Sequence, residues 1–278
     1  MSTGPTHAIS GTAAWGAVVV GFGAYDIGHF SPETVVVGAI LASGAALLPD
    51  LDHPGSTVSR TFGPISKAAS KGINTVSHAL YRSTRTKRDS NRDGGHRGLT
   101  HTVVFALLAG VLTTAIVSAT NKWALPILLF FFCGLAVRGL MHKWNPKQDA
   151  WAISGSSALL TILCWAWAQD GPKQAPALGI AVITGCVAHY IGDAITEQGC
   201  PMLWPVPIMG KLWFPVAPPK LLRMKTGGKV ELSLVLPALT IAAVWLTAAA
   251  LQRTGAIPWL PWDLVPGGWS SIPPVAAG

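Results

Sequence analysis

Residues 176–198 read PALGIAVITGCVAHYIGDAITEQ, an apolar block whose His, Asp and Glu residues, His189, Asp193 and Glu197, all fall near its end. A run of this length matches the about 20 residues that a helix needs to cross a roughly 30 Å hydrocarbon layer. Working outward, six further blocks of the same kind lie near 10–30, 33–49, 99–120, 123–141, 150–168 and 230–251. None alternates in polarity as a barrel strand would, and in lipid only a helix satisfies its own backbone as a single segment. The pattern predicts an all-α, polytopic membrane bundle of about seven spans.

Composition excludes the other broad classes. The 278 residues are 50% hydrophobic and only 12% charged, with a mean hydropathy of +0.44, whereas soluble domains carry roughly 25% charged residues. Neither a soluble globular domain nor a disordered chain fits. The four cysteines, Cys133, Cys164, Cys186 and Cys200, sit in or beside apolar blocks without CxxC spacing, so neither a disulfide framework nor a thiolate metal site is indicated. No Lys or Arg precedes the first block and further spans follow it, so it is expected to remain as a helix and not to be a cleaved signal.

Threading the chain through seven spans divides the connections between two sides. One side carries the N-terminus, the segments 50–98 and 199–229, and the turn near 142–149. With them come 17 of the 20 basic residues, among them Arg60, Lys67, Lys71, Arg82, Arg97, Lys211 and Lys229. The positive-inside rule makes that side cytoplasmic. The net charge of +8 is therefore read as topology and not as a nucleic-acid footprint, and no nucleic-acid partner is expected.

Two cytoplasmic segments have a character of their own. Ile65, Ala69, Ile73, Val76 and Leu80 step by four, four, three and four residues while Lys67 and Lys71 take other faces, which predicts an amphipathic helix over 65–80 lying in the interface. The polar insert 82–95 that follows is expected to be a mobile loop. In 199–229, Pro201, Pro205, Pro207, Pro215, Pro218 and Pro219 forbid a regular spanning helix. Trp204, Trp213 and Phe214 nevertheless ask for apolar surroundings, so this segment reads as a flap. The chain is thus expected to form one membrane-embedded unit over 1–251. A Pro- and Trp-rich tail over 252–278, with Trp259, Trp262 and Trp269, should anchor at the far interface.

Ionisable residues at membrane depth are costly and mark function by default. Four groups of them fall at the cytoplasmic edge: His7 just before the first span; Asp50, Asp52 and His53 between Pro49 and Pro54; His96, Arg97 and His101; and His189 with Asp193. His189 and Asp193, four apart on a helix, have Cβ atoms about 5–6 Å apart and can converge on one ion. Of the two carboxylates in 50–53, one can ligate or bridge metals while the other orients a histidine. His96 and His101 can share a centre only if His96 precedes the helix proper, which Gly98 allows. All donors are N or O, suiting Zn²⁺, Mn²⁺ or Fe²⁺. His29, His78 and His142 read as interface residues, and Asp26 with His29 lies on the far side.

These residues carry a resemblance. The Leu-Pro-Asp-Leu-Asp-His-Pro run at 48–54, the His-Arg-Gly-Leu-Thr-His run at 96–101, and His189 and Asp193 followed by Thr196, Gly199 and Leu203-Trp204-Pro205 resemble the YdjM-type family of bacterial inner-membrane, metal-dependent hydrolases. Thr6-His7 fits the same pattern. In ligand type the family is similar to zinc-dependent phospholipase C and the P1-type nucleases, helical phosphoesterases. The resemblance implies a multi-pass inner-membrane hydrolase with its active site on the cytoplasmic side. Its metal ligands would come from His7, Asp50, Asp52, His53, His96, His101, His189 and Asp193, binding two or more divalent ions, zinc first among them. Asp52 is then a candidate general base and Arg97 a candidate for holding a phosphate oxygen. Two divalent ions would outweigh the carboxylates around them and favour an anionic substrate such as a phospholipid or lipid-linked phosphoester. A hydrolase of soluble or peptidic substrates and a metal-ion transporter or sensor are the alternatives that the residues leave open.

Overall fold

The computed structural model describes residues 2–24, 30–53, 56, 58–90, 94, 96–120, 123–141, 149–167 and 174–257. The readings placed on Asp26, His29, Pro54 and His142 and on the tail tryptophans Trp259, Trp262 and Trp269 fall outside them. Among the described residues the fold is all helical: α1 Gly4–Ala24, α2 Pro32–Ala45, α3 Pro64–Thr84, α4 Val103–Thr120, α5 Ala124–Leu140, α6 Asp149–Trp167, α7 Ala175–Ala194 and α8 Leu236–Arg253. Seven of these coincide with the seven apolar blocks, and α3 is the amphipathic helix between them.

Three helical stretches, Pro32–Asp52, Ala175–Ala194 and Glu231–Arg253, are long and apolar enough to cross a membrane; Val103–Ala119, Ala124–Leu140 and Trp151–Trp167 are shorter apolar helices. The first helix begins earlier than its hydropathy suggests, so His7 lies inside α1 and not before it. Pro5 fits there because the amides of a first turn have no intrahelical acceptor to lose.

The bundle is organised around α2 and α7. Their windows are 78% and 61% buried within the protein, against 17% for the stretch ending in α8, so the first two form the centre and α8 the rim. Helix α2 packs on α1, α5 and α7, while α4 lies along α7, α6 along α5 and α8 along α1. Two glycines set the closest approaches: a Cβ at Gly11 of α1 or at Gly185 of α7 would collide with the Ala42 carbonyl of α2. Small residues replace bulky ones at such contacts because, in lipid, helices associate through close packing. The one tryptophan of α1, Trp15, is fully buried and donates from its indole N–H to the Val35 carbonyl at 2.9 Å.

Helix α3 forms where the amphipathic pattern predicts a helix, and the face it turns to the protein is a serine stripe. Its buried residues are Ser66, Ser70, Ser77 and Tyr81, whereas Ile65 and Val76 are 79% and 57% exposed. The serine stripe docks on loops: Ser66 Oγ donates to the Ser59 carbonyl and Ser77 Oγ to the Gly94 carbonyl. Leu99 N–H donates to Ser77 Oγ, and Asn74 Nδ2 to the Asp52 carbonyl. The helix runs on to Thr84, so the polar insert starts later than its composition implies.

The segment 199–229 contains no regular spanning helix. It leaves α7, runs out and returns: Cys200 and Val216 exchange two backbone hydrogen bonds, and Ile208 and Lys211 close the tip with another two. Met209 and Gly210 at that tip both have positive φ, the signature of a type I′ hairpin turn.

Candidate metal centre

Four elements deliver polar side chains to one point. They are the first turns of α1, the short 3-10 turn Pro49–Asp52 that ends α2, the turn 96–101 that precedes α4, and the last two turns of α7. The second and third depend on local backbone chemistry. Pro49 opens its turn in a position that needs no N–H. Arg97 adopts φ 54°, which swings His96 and His101 to the same side before α4 begins. Gly98 serves a different need from the freedom read in the sequence: a Cβ there would collide with Ser77 Oγ and the Gly94 carbonyl, so the glycine lets the turn press onto α3.

The two carboxylates of the 50–53 run divide their work. Asp52 is fully buried, and its Oδ1 lies 2.8 Å from His96 Nδ1. Its Oδ2 accepts from the Arg97 N–H at 3.2 Å and from Thr100 Oγ1 at 2.7 Å, and lies 3.3 Å from His101 Nδ1. Both oxygens of Asp52 are thereby used to orient its neighbours. Asp50 Oδ1, buried and without a hydrogen-bond partner, faces His189 Nε2 at 3.9 Å. Asp50 is the ligand-type carboxylate of the pair.

The histidines carry the clearest chemical signal. His189 Nδ1 lies 2.8 Å from the Ala46 carbonyl, which accepts only, so Nδ1 bears the hydrogen and Nε2 a lone pair. Thr100 donates its hydroxyl hydrogen to Asp52, so at 3.0 Å it accepts from His101 Nδ1, and His101 Nε2 is a lone pair as well. The two Nε2 atoms lie 3.2 Å apart. Two ring nitrogens face each other in a fully buried position, an arrangement that a proton shared between them or a metal ion beside them would satisfy. His96, whose Nδ1 also meets Asp52, joins them. An imidazole held at Nδ1 with Nε2 turned inward is the orientation that metal-binding histidines take.

His7 is fully buried and stacks on His189 with centroids 3.9 Å apart. Its Nε2 lies 3.4 Å from Asp193 Oδ1. Asp193 is gripped from both ends: Oδ1 accepts the Ser2 N–H at 3.1 Å, and Oδ2 pairs with Arg97 Nη2 at 2.9 Å. Three ligand sets result, each with its donor atoms within 4.8 Å of one another: His7, Asp50 and His189; Asp50, His96 and His101; and His101, His189 and Asp193. Asp50, His101 and His189 each belong to two sets, so the donors fit a cluster of more than one divalent ion. N and O donors without thiolate suit zinc, manganese or iron.

The remaining sequence candidates are placed as follows. His53 is exposed, with its ring 5.0 Å from that of His96, and belongs to none of the three sets. Arg97 is 2% exposed and committed inward: besides Asp193 it meets Thr196 Oγ1 and the Gly199 carbonyl. This arginine holds a ligand and the root of the flap. The centre opens where His96 is 26% and Asp50 9% exposed, beside His53.

Three supporting residues escaped sequence reasoning. Thr100 bridges Asp52 and His101, Tyr190 donates to the Thr100 carbonyl at 2.9 Å, and Glu231 is fully buried at the start of the last helical stretch. Glu231 alone carried a usable signal, as an acid at the edge of an apolar block.

The flap is latched to the polar insert. Asp89 Oδ2 accepts from the Thr86 N–H and hydroxyl and from the Leu212 N–H, and Oδ1 accepts from the Trp213 N–H at 3.0 Å. Partial burial raises the Asp89 pKa, but these hydrogen bonds to the carboxylate outweigh it and hold the group below the usual range. Trp213 is sandwiched between Trp204 and Tyr81, both with centroids 5.1 Å away. The described part of the insert is therefore docked on the flap.

Comparison with known proteins supplies the family. The chain belongs to the YdjM inner membrane protein family, whose model matches residues 1–144 and 150–256. No curated protein and no solved structure gives a significant match.

Proposed function

We propose that this inner membrane protein is a multi-pass, metal-dependent hydrolase with its active site at the cytoplasmic edge, cleaving a phosphoester of a phospholipid or lipid-linked substrate. The observation that carries the reading is the pair of facing lone pairs on His101 and His189, 3.2 Å apart and fully buried. Divalent ions held there would supply a Lewis acid that acidifies water and stabilises developing negative charge.

The chain's own residues define the rest. His7, Asp50, His96, His101, His189 and Asp193 form the ligand set, and Asp52, Thr100 and the Ala46 carbonyl fix the imidazoles. Asp50, at the opening with an oxygen that no protein group engages, is better placed than Asp52 to take a proton. Two divalent ions would outweigh the two carboxylates that face them, which favours an anionic substrate. A lipid source is supported by helix α3, which turns Ile65 and Val76 away from the protein and Asn74 toward Asp52.

Elemental analysis of protein purified without chelator is expected to find zinc, manganese or iron. His189→Ala and Asp193→Ala should lose metal and at least about 100-fold in hydrolysis across a panel of phospholipids and soluble phosphoesters, while His78→Ala keeps both. Metal-free wild-type protein, or equal losses in all three variants, would overturn the reading.

A further inference from the structure

Glu231 is the one fully buried acid among the described residues that lies outside the metal centre. A carboxylate at the end of an apolar spanning stretch is costly unless every lone pair is engaged. Here each oxygen takes a backbone amide from a different part of the chain: Oε1 accepts the Thr3 N–H at 2.5 Å and Oε2 the Gly227 N–H at 2.8 Å. Thr3 begins a short path to the metal centre. The next amide, that of Ser2, donates to Asp193 Oδ1, and Ser2 Oγ donates to the Gly192 carbonyl at 3.0 Å. The Thr3 carbonyl accepts the His7 N–H at 3.0 Å, so the same residue holds the first turn that presents His7.

Gly227 leads the other way. It stands at the far root of the flap with φ 64°, and Gly199, at the near root, has φ 70°. The Gly199 carbonyl accepts from Arg97 Nη1, and Nη2 of that guanidinium holds Asp193 Oδ2. Each oxygen of Asp193 is thus connected to one root of the flap, the first through Ser2, Thr3 and Glu231 and the second through Arg97.

Resting on the metal-hydrolase reading above, we propose that Glu231 is a positioning residue: it ties the far root of the flap to the N-terminal residues 2–7, and through them sets the orientation of Asp193 and His7. It touches neither ions nor substrate. The tie makes ligand geometry dependent on where the flap sits, so displacement at Gly227 releases Thr3, and with it the Ser2 amide from Asp193.

The test compares wild type, Glu231→Gln, Ser2→Pro and the double variant as full chains in nanodiscs, with the exposed Glu197→Gln as control. Zinc affinity is read by chelator competition and backbone order by amide hydrogen exchange. Gln can accept only one of the two amides, and Pro removes the donor to Asp193 at a position outside α1. Each single variant is expected to weaken zinc binding on the order of tenfold. The double variant should be no weaker than the weaker single, since both cut one path. Glu231→Gln should raise exchange at Thr3 and Gly227 together, whereas Ser2→Pro leaves Gly227 protected. Additive losses, or wild-type zinc affinity in Glu231→Gln, overturn the proposal. If wild-type protein binds no zinc, the metal reading fails and exchange alone decides: joint deprotection of Thr3 and Gly227 upholds the tie, and continued protection refutes it. Should Glu231→Gln fail to fold, Glu231→Asp, which keeps the charge but is one methylene too short to reach both amides, replaces it in every comparison.

Discussion

Helices α7 and α3 both border the candidate metal centre, and they use polar residues in opposite ways. Helix α7 is apolar throughout and spends its ionisable groups, His189 and Asp193, directly as ligand-type donors, both fully buried. Helix α3 donates no ligand. It buries serines against the loops that carry these donors, holds the Asp52 carbonyl through Asn74 and the Leu99 amide through Ser77, and leaves Ile65 and Val76 outside. The difference separates two tasks. Ion binding needs donors fixed in position by charged and carbonyl partners, whereas access needs a wall held by a few neutral hydrogen bonds that can open at low cost.

If orientation matters as much as the donors themselves, a residue that binds nothing should still have a large effect. Thr100→Val removes the hydroxyl that joins Asp52 to His101 while keeping shape, and the Tyr190 bond to the residue 100 carbonyl can persist. His101 Nδ1 then keeps only its longer 3.3 Å contact with Asp52 Oδ2, and its tautomer is held less firmly. Metal affinity by chelator competition is expected to fall by about 10- to 100-fold with the thermal midpoint little changed. An unchanged affinity would mean that the donors need no orienting partners.

This division also explains what the sequence made legible. His189, Asp193, Asp50 and His7 stand out because ionisable groups in or beside apolar blocks have few other reasons to be there, and the all-helical fold follows from the length of those blocks. The choice between Asp50 and Asp52 was not readable, since two carboxylates of one type differ only in which way a 3-10 turn points them. Thr100, Tyr190 and the serines of α3 were invisible for another reason: each acts through a single hydroxyl, on side chains in the case of Thr100 and on backbone groups in the others, and such residues are common on any helix. Which side of α3 docks was not readable, since hydropathy ranks its serines below its aliphatic residues, while the loops beneath offer carbonyls and amides that a hydroxyl satisfies.

A smaller effect is expected at the latch. The Asp89 carboxylate is favoured in its ionised form by the Thr86, Trp213 and Leu212 donors, so its folded pKa lies below that of the free side chain. Its contribution to docking is therefore complete above the ordinary Asp value of about 3.9 and is lost as pH falls through the lower folded value. Hydrogen exchange at the Leu212 and Trp213 amides should stay slow from pH 7 to 5 in wild type. In Asp89→Asn it should be faster by a few-fold across that range, because an amide can accept only on one side. Zinc affinity should be unaffected, because Asp89 holds the flap near its tip while the roots at Gly199 and Gly227 stay bound to Arg97 and Glu231. A loss of zinc in this variant would erase the separation between fixed donors and movable wall.

The smallest effect concerns only where α3 lies. Around the helix, Ile65 and Val76 fall on one side and Lys67 and Lys71 on the opposite one, with the buried serines between them. A helix docked laterally on the protein then presents aliphatic residues to the bilayer and ammonium groups to water, and no net insertion is needed beyond the depth of two side chains. Spin labels at Ile65→Cys, Lys71→Cys and Val76→Cys can test this, since the four native cysteines are all buried and should not compete for the label. Labels at 65 and 76 are expected to be more accessible to oxygen than to a polar nickel chelate, and the label at 71 the reverse. Because all three sites lie around one surface helix, the contrast should be modest, a depth difference on the order of the 10 Å helix diameter. Equal chelate access at all three would place α3 in water. The aliphatic face would then need another covering, and the route from the leaflet to Asp50 past this helix would be lost, while the ligand geometry on α7 would stand unaltered.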